Sequence, residues 1–254
     1  MARLLFTCAY DGTPWRGWQS QPCGKTVQDC LESVFERILK QSLRISSAGR
    51  TDAGVHARAQ RFHADIPETC RMTPGAWVAA LNAQLPASIR IYSAECVASD
   101  FHARFNATGK VYEYLIWHAP VLPPHWVHRA WHHPHALELD LLRRALAAYC
   151  GTHDFRHFAA RRGNEPAVPP AGFYTRTIYS ATCEQQGDAL LALRFHGSGF
   201  MYRMVRLLVG AACRVATGRM PLAELHSALS APPEVPTRYC APAEGLYLDA
   251  VFYA

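Results

Sequence analysis

The stretch Ser47–Ala57, reading Ser-Ala-Gly-Arg-Thr-Asp-Ala-Gly-Val-His-Ala, carries one carboxylate, Asp52, two residues after Arg50 and beside Ala53-Gly54. Glycines at 49 and 54 let a backbone come close to a ligand. An arginine two residues away can keep a partly desolvated carboxylate ionised and available as a nucleophile. The same residues suit an ordinary Asx turn with a surface aspartate, which local grammar alone favours. A glycosidase needs two carboxylates flanking one bond, but the next acidic residues, Asp65 and Glu68, lie along or beyond the following strand. The aspartic-protease turn places Asp before Thr and Gly, whereas here Thr51 precedes Asp52. A lone carboxylate of this kind points to nucleophilic work.

Other candidate residues lie farther along the chain. His125, His128, His132, His133 and His135 crowd one stretch with Trp126 and Trp131. Their spacing fits no standard ligand pattern, so we read alternating His and Trp on a half-buried strand and expect no metal. In Lys110–Trp117, Tyr112, Tyr114 and Ile116 share one strand face, opposite Val111, Glu113, Leu115 and Trp117. Most such tyrosines are core or sheet-face residues, yet one at the edge of a cleft can stack on a nucleobase. Arg203, Arg206 and Arg214 interrupt an apolar helical pattern after Gly199. On a buried helix Arg206 is costly unless a carboxylate meets it, and Asp52 is a candidate partner. The alternative is a guanidinium that snorkels to solvent from the helix edge.

These residues need elements to position them. Thr26 to Gln41 predicts a helix, with Thr26 and Asp29 as a capping box and Val27, Cys30, Leu31, Val34, Phe35, Ile38 and Leu39 on one face. Strands are predicted at Leu4 to Tyr10, Leu43 to Ser47, His56 to Ile66 and Ile89 to Val97, with a helix starting at Thr73-Pro74. The order is βαββαβ. An extended run from Phe101 into Lys110–Trp117 opens a second series, followed by a helix from Asp140 to Cys150 that stops at Gly151. A hairpin across Gln-Gln-Gly-Asp joins Thr175–Glu184 to Ala189–Phe195. A helix from about Gly199 to Thr217, a short one after Pro221 and a strand Leu246 to Tyr253 complete it. The expected class is α+β: two ferredoxin-like βαββαβ halves, 1–105 with the aspartate and 106–254 completing the site, whose mixed, mainly antiparallel sheets join around a central basic cleft. Residues 156–172, rich in proline and arginine, read as a mobile basic loop.

Composition agrees with a folded chain that meets a polyanionic partner. Half of the 254 residues are hydrophobic and only 18% are charged, which excludes a disordered chain. The nine cysteines are an odd number without a Cys-x-x-Cys pair, which fits neither a disulfide framework nor a zinc site and suggests a reducing cytoplasm. The apolar start resembles part of a signal peptide but is cut short by Asp11-Gly12. No segment approaches the roughly 20 apolar residues of a membrane span. Net charge is +6, spread over both halves, and 23 of the 26 basic residues are arginine. That balance suits a polyanionic partner, gripped through bidentate phosphate contacts, although codon bias toward arginine would look alike.

Seven motifs recur in a known order: Tyr-Asp-Gly-Thr (10–13), Gly-Trp-Gln (17–19), Thr-Val-Gln (26–28), Gly-Arg-Thr-Asp-Ala-Gly-Val-His-Ala (49–57), Phe-His-Ala-Arg-Phe (101–105), Met-Val-Arg (204–206) and Gly-Leu-Tyr-Leu (245–248). Together they resemble the tRNA pseudouridine synthase A family over almost the whole chain. The resemblance implies isomerisation of uridine to pseudouridine in the anticodon stem-loop of tRNA, at positions 38, 39 and 40. It also implies a cytoplasmic homodimer without metal or organic cofactor. Asp52 takes the nucleophile position, Tyr112 the aromatic against the target base, and Arg206 the arginine that pairs with the aspartate. Arg50 is expected to hold the flipped nucleotide, and Gln19, Arg58 and Arg203 to touch RNA. Arg203 stands where family members often have histidine. The alternatives from other classes are a non-catalytic RNA-binding protein and a hydrolase working through an aspartyl ester.

Overall fold

The computed structural model describes residues 2–161, 163, 166 and 168–254. Among them the chain runs β1 (Ala2–Tyr10), α1 (Val27–Leu39), β2 (Ile45–Ser47), β3 (His56–Ile66), α2 (Pro74–Gln84) and β4 (Ile89–Val97). It continues through β5 (Ala107–Trp117), β6 (Trp131–His132), α3 (Leu139–Ala148), β7 (Gly151–Asp154), β8 (Thr175–Gln186) and β9 (Leu190–Gly197). Helices α4 (Met204–Ala216) and α5 (Leu222–Ser230) and strand β10 (Leu246–Tyr253) end it. The fold is mixed α/β and divides into two compact units, one of residues up to Thr108 with Tyr247–Ala254, the other of Gly109–Leu246.

In the first unit β1 lies between β3 and β4, antiparallel to both, and β2 adds to β3 as a short antiparallel strand. The strand expected at the end of the second series, β10, pairs in parallel with β3, Tyr247 opposite His56. Helix α1 begins where its capping box requires: the Asp29 N–H donates to Thr26 Oγ1 at 3.2 Å, and the Thr26 hydroxyl returns a bond to the Asp29 carboxylate at 2.5 Å. Its buried face, Val27, Leu31, Val34 and Phe35, covers the sheet. There Phe6 stacks on Phe62 at 5.0 Å, with Phe35 edge-on to Phe6 at 5.5 Å and Trp77 of α2 against Phe35 at 5.2 Å. Each fully buried ring contributes about 1.5–3 kcal/mol of transfer free energy, so this cluster anchors the strands that carry the 48–55 loop.

The second unit is an antiparallel sheet in the order β5-β9-β8-β7, with β6 parallel to the end of β5. Tyr112 of β5 stands opposite Phe195 of β9. Gly187, at φ 64°, turns β8 into β9 as the hairpin reading expects. Helix α3 is capped by Glu138, whose carboxylate accepts from the Asp140 and Leu141 amides at 2.9 and 2.8 Å. It is tied to α4 by the Tyr149 hydroxyl, which donates to the Leu208 carbonyl at 2.9 Å.

Three expectations change. The extended run does not begin at Phe101: residues 102–106 form a turn, with the Asn106 amide donating to the His102 carbonyl at 3.0 Å and the Asn106 side chain accepting from the His102 amide at 2.6 Å. Helix α4 begins at Met204 because Arg203 adopts a left-handed φ of 58°, which a helix cannot continue through. The histidine-rich segment contributes only the two residues of β6 to the sheet; His133 instead packs edge-on to Trp131 at 4.7 Å and to His135 at 5.3 Å. Among the described residues no helix is long and apolar enough to cross a membrane.

Candidate active site

Asp52 sits on the loop that joins β2 to β3, on a reverse turn closed by the Val55 amide donating to the Asp52 carbonyl at 3.1 Å. The loop is braced at its start and at its centre. At its start the Ala48 amide donates to the Arg61 carbonyl at 2.7 Å, and the Gly49 carbonyl accepts from Gln60 Nε2 at 2.8 Å and Ser47 Oγ at 3.0 Å. At its centre buried Thr51 takes the Trp18 amide on its carbonyl at 3.1 Å and shares a 2.8 Å hydrogen bond between its hydroxyl and that of Tyr10. Thr51 is thus clamped in the interior while Asp52 beside it is partly exposed and Arg50 is exposed. The carboxylate is partly exposed on a loop held by hydrogen bonds from Trp18, Tyr10 and Val55.

The segment 10–19 lies directly on this loop, and two glycines make that possible. A Cβ on Gly12 would fall 2.1 Å from the Val55 carbonyl oxygen, and one on Gly17 would fall 2.7 Å from that of Thr51. Gly12 also donates its amide to His56 Nδ1 at 3.0 Å. The His56 ring stacks on Tyr247 at 4.6 Å and 18°, and Arg58 lies over the same tyrosine at 4.6 Å while binding Asp249 at 3.0 Å. The sequence motifs 10–13, 17–19 and 49–57 are therefore one assembly within the first unit. Gln19 is half-buried next to Trp18, and Arg58 is exposed on β3.

In the second unit Tyr112 is buried at 8% exposure, with Phe200 edge-on at 5.2 Å and 81°. Sequence reading overlooked Phe200, whose only signal was an aromatic among the glycines that precede α4. Arg206, on the first turn of α4, donates Nε to the Ala241 carbonyl at 2.8 Å, and the Ala241 amide returns a bond to the Arg206 carbonyl at 3.0 Å. The helix can approach the 239–241 segment because residue 210 is glycine: a Cβ there would lie 1.8 Å from the Tyr239 carbonyl oxygen. Arg203 is exposed, with its guanidinium 5.0 Å from the Tyr202 ring. Tyr114, on the strand face of Tyr112, is fully buried and donates its hydroxyl to the Pro242 carbonyl at 2.8 Å. Gly245 fits against it only without a side chain, since a Cβ would lie 2.8 Å from that ring.

The proline-rich 156–172 stretch falls partly on 162, 164, 165 and 167, which lie outside the described residues. Of its arginines, Arg156 is held by Asp154 at 2.7 Å and Glu234 at 2.5 Å, and Arg161 donates to the Glu234 carbonyl at 3.1 Å. Among the described residues no group of three or more His, Cys, Asp or Glu is placed to hold a metal ion.

A family model described as tRNA pseudouridine synthase matches residues 7–106 and 145–254. The first block contains Gln19, Arg50, Asp52 and Arg58 and the second Arg203 and Arg206, with Tyr112 between them. Among curated proteins, the chain is 50% identical over 254 residues to tRNA pseudouridine synthase A of Akkermansia muciniphila, covering 100% of this chain and 96% of that one. It is 40% identical over 256 residues to tRNA pseudouridine synthase A of Geobacillus kaustophilus, covering 99% and 94%. The protein of that name from Bordetella petrii is 39% identical over 258 residues, covering 100% and 92%.

Proposed function

From a chain that belongs to the tRNA pseudouridine synthase family and isomerises uridine in tRNA, we propose the place on tRNA and the route of the reaction. The targets are uridines 38, 39 and 40 of the anticodon stem-loop. The enzyme works as a cytoplasmic homodimer, and each chain is built as two ferredoxin-like halves around a basic cleft. The order β4-β1-β3 with β2 beside β3 in the first unit supports that architecture.

The target uridine leaves its stack at a cost of about a few kcal/mol, which arginine contacts and base stacking offset. Asp52 attacks C6 of the uracil or C1′ of the ribose. The N1–C1′ bond breaks, the uracil turns while held, and a C5–C1′ bond forms. C5 loses its proton, N1 gains one, and the aspartate is released unchanged, so atoms balance and no electrons are exchanged. Tyr112 lies against the base and stops its escape. Arg206 pairs with Asp52, Arg50 holds the flipped nucleotide, and Gln19, Arg58 and Arg203 bind the RNA.

The observation that carries this reading is the clamped loop: Thr51 is locked by Tyr10 and Trp18 while the adjoining Asp52 stays accessible. Chemical mapping and mass spectrometry of tRNA transcripts treated with the pure protein test it. Pseudouridine at 38–40 is the expected product; pseudouridine confined to another arm of the tRNA overturns the placement.

A further inference from the structure

We propose that the turn at residues 101–106 carries a base-stacking platform, Phe105 with His102 and Arg104, that binds an unpaired nucleotide of the tRNA outside the catalytic loop. The proposal rests on the tRNA reading above. Phe105 is 75% exposed. An exposed aromatic is ordinary when it sits on a loose loop, but this turn is not loose. The Phe101 carbonyl accepts from Arg3 Nη1 at 2.7 Å, and Arg3 is itself fixed by two bonds to Asp65 at 2.7 and 2.8 Å. The Ala103 amide donates to His63 Nδ1 at 3.1 Å, and the Ala103 carbonyl accepts from the Tyr253 hydroxyl at 2.8 Å. Asn106 closes the turn onto both backbone groups of His102.

What this frame presents is a two-ring surface with a cation. The His102 and Phe105 rings lie 4.3 Å apart at 35°, and the Arg104 guanidinium is 5.7 Å from the Phe105 ring. The Arg104 amide donates to His102 Nδ1 at 3.1 Å. Partial burial, with Arg3 and then Arg104 nearby, lowers the pKa of His102, so its ring stays neutral at neutral pH. The nearby Asp65 carboxylate is matched by Arg3, and at the exposed edge Arg104 stands with the Asp100 carboxylate on the other side of the turn, toward Arg3. A rigid, exposed ring beside an arginine is the arrangement by which proteins stack unpaired bases and neutralise their phosphates. A protein partner's aliphatic side chain would be served equally by a leucine here, whereas a base is not.

That difference supplies the test. Filter binding of a tRNA transcript and KM are measured for Phe105→Ala, Phe105→Leu and Phe105→Trp, with Arg104→Ala as a second variant. Loss of one base stack predicts roughly tenfold weaker Kd and higher KM for the Ala and Leu variants and recovery in the Trp variant. Arg104→Ala lowers affinity and reduces its salt dependence. Wild-type affinity in Phe105→Leu overturns the proposal. So does a change of oligomeric mass in Phe105→Ala with tRNA affinity intact, which assigns the ring to a second copy of the chain. Absence of pseudouridine with the wild-type protein is a failure of the tRNA reading instead, and is seen independently of these variants.

Discussion

Gly17 lies against the carbonyl of Thr51 so closely that a Cβ would sit 2.7 Å from its oxygen, and it does so at φ 87°. Two constraints meet there, one of conformation and one of space, and both act on the loop that presents Asp52. Alanine at 17 is expected to cost about 3 kcal/mol or more, because the left-handed conformation adds to a collision with backbone that cannot rotate away. Gly24 is the control: its φ is 62° but nothing lies within 4 Å of its would-be Cβ, so alanine there costs about 1 kcal/mol. Thermal unfolding of the two variants compares the costs directly. Equal midpoints would show that the contact with Thr51 is without consequence.

Asp52→Asn keeps the shape of the side chain and removes its charge and nucleophilicity. We expect no tritium release from C5-labelled tRNA, while tRNA affinity stays within a few fold. Turnover retained by this variant removes Asp52 from the chemistry.

Tyr112→Phe keeps the ring and its edge-on contact with Phe200, so fold and tRNA affinity should persist. Any fall in single-turnover rate is then owed to the hydroxyl. An unchanged rate leaves Tyr112 with stacking alone.

His63 makes stability depend on pH. It is buried, and burial first, then the charge of Arg3 and the neighbouring His102, lower its pKa from 6.5 to about 4. The folded state therefore favours the neutral ring, whose Nδ1 accepts from the Ala103 amide. The unfolded chain takes up a proton sooner as the solution is acidified. The contribution is complete above about pH 6.5 and is lost as pH falls from there toward about 4, on the order of 3 kcal/mol in all. Urea unfolding across this range should show that slope, flattened in His63→Asn, which keeps an acceptor without the titration. An undiminished slope in the variant assigns the acid sensitivity to other groups.

Much of this protein was legible locally. The Thr26 and Asp29 capping box, the 3.6-residue stripe of α1, the bounds of β3 and the Gly187 hairpin all depend on residues within a few positions of one another, and they fold as read. The start of α4 was not legible, because nothing in Gly-Phe-Met-Tyr announces that Arg203 adopts a left-handed conformation. The turn at 102–106 was missed because an apolar residue at 101 and another at 105 read as a strand, while Asn106 closes the turn onto His102 and Arg3, His63 and Tyr253 hold it in place from far along the chain.

By itself the sequence determined the order of the elements apart from the short strand β7, the family and Asp52 as the residue to examine. The tertiary structure alone decided why Gly12 and Gly17 cannot carry a side chain, which partners bind Thr51, and that β10 returns to pair with β3. The reason is physical. Helix stripes and strand alternation come from a repeat of two to four residues, which any stretch of chain displays. A backbone packed so close to another that no Cβ fits between them, or a hydrogen bond spanning 150 residues such as that from Tyr253 to Ala103, exists only after the core has brought distant segments together.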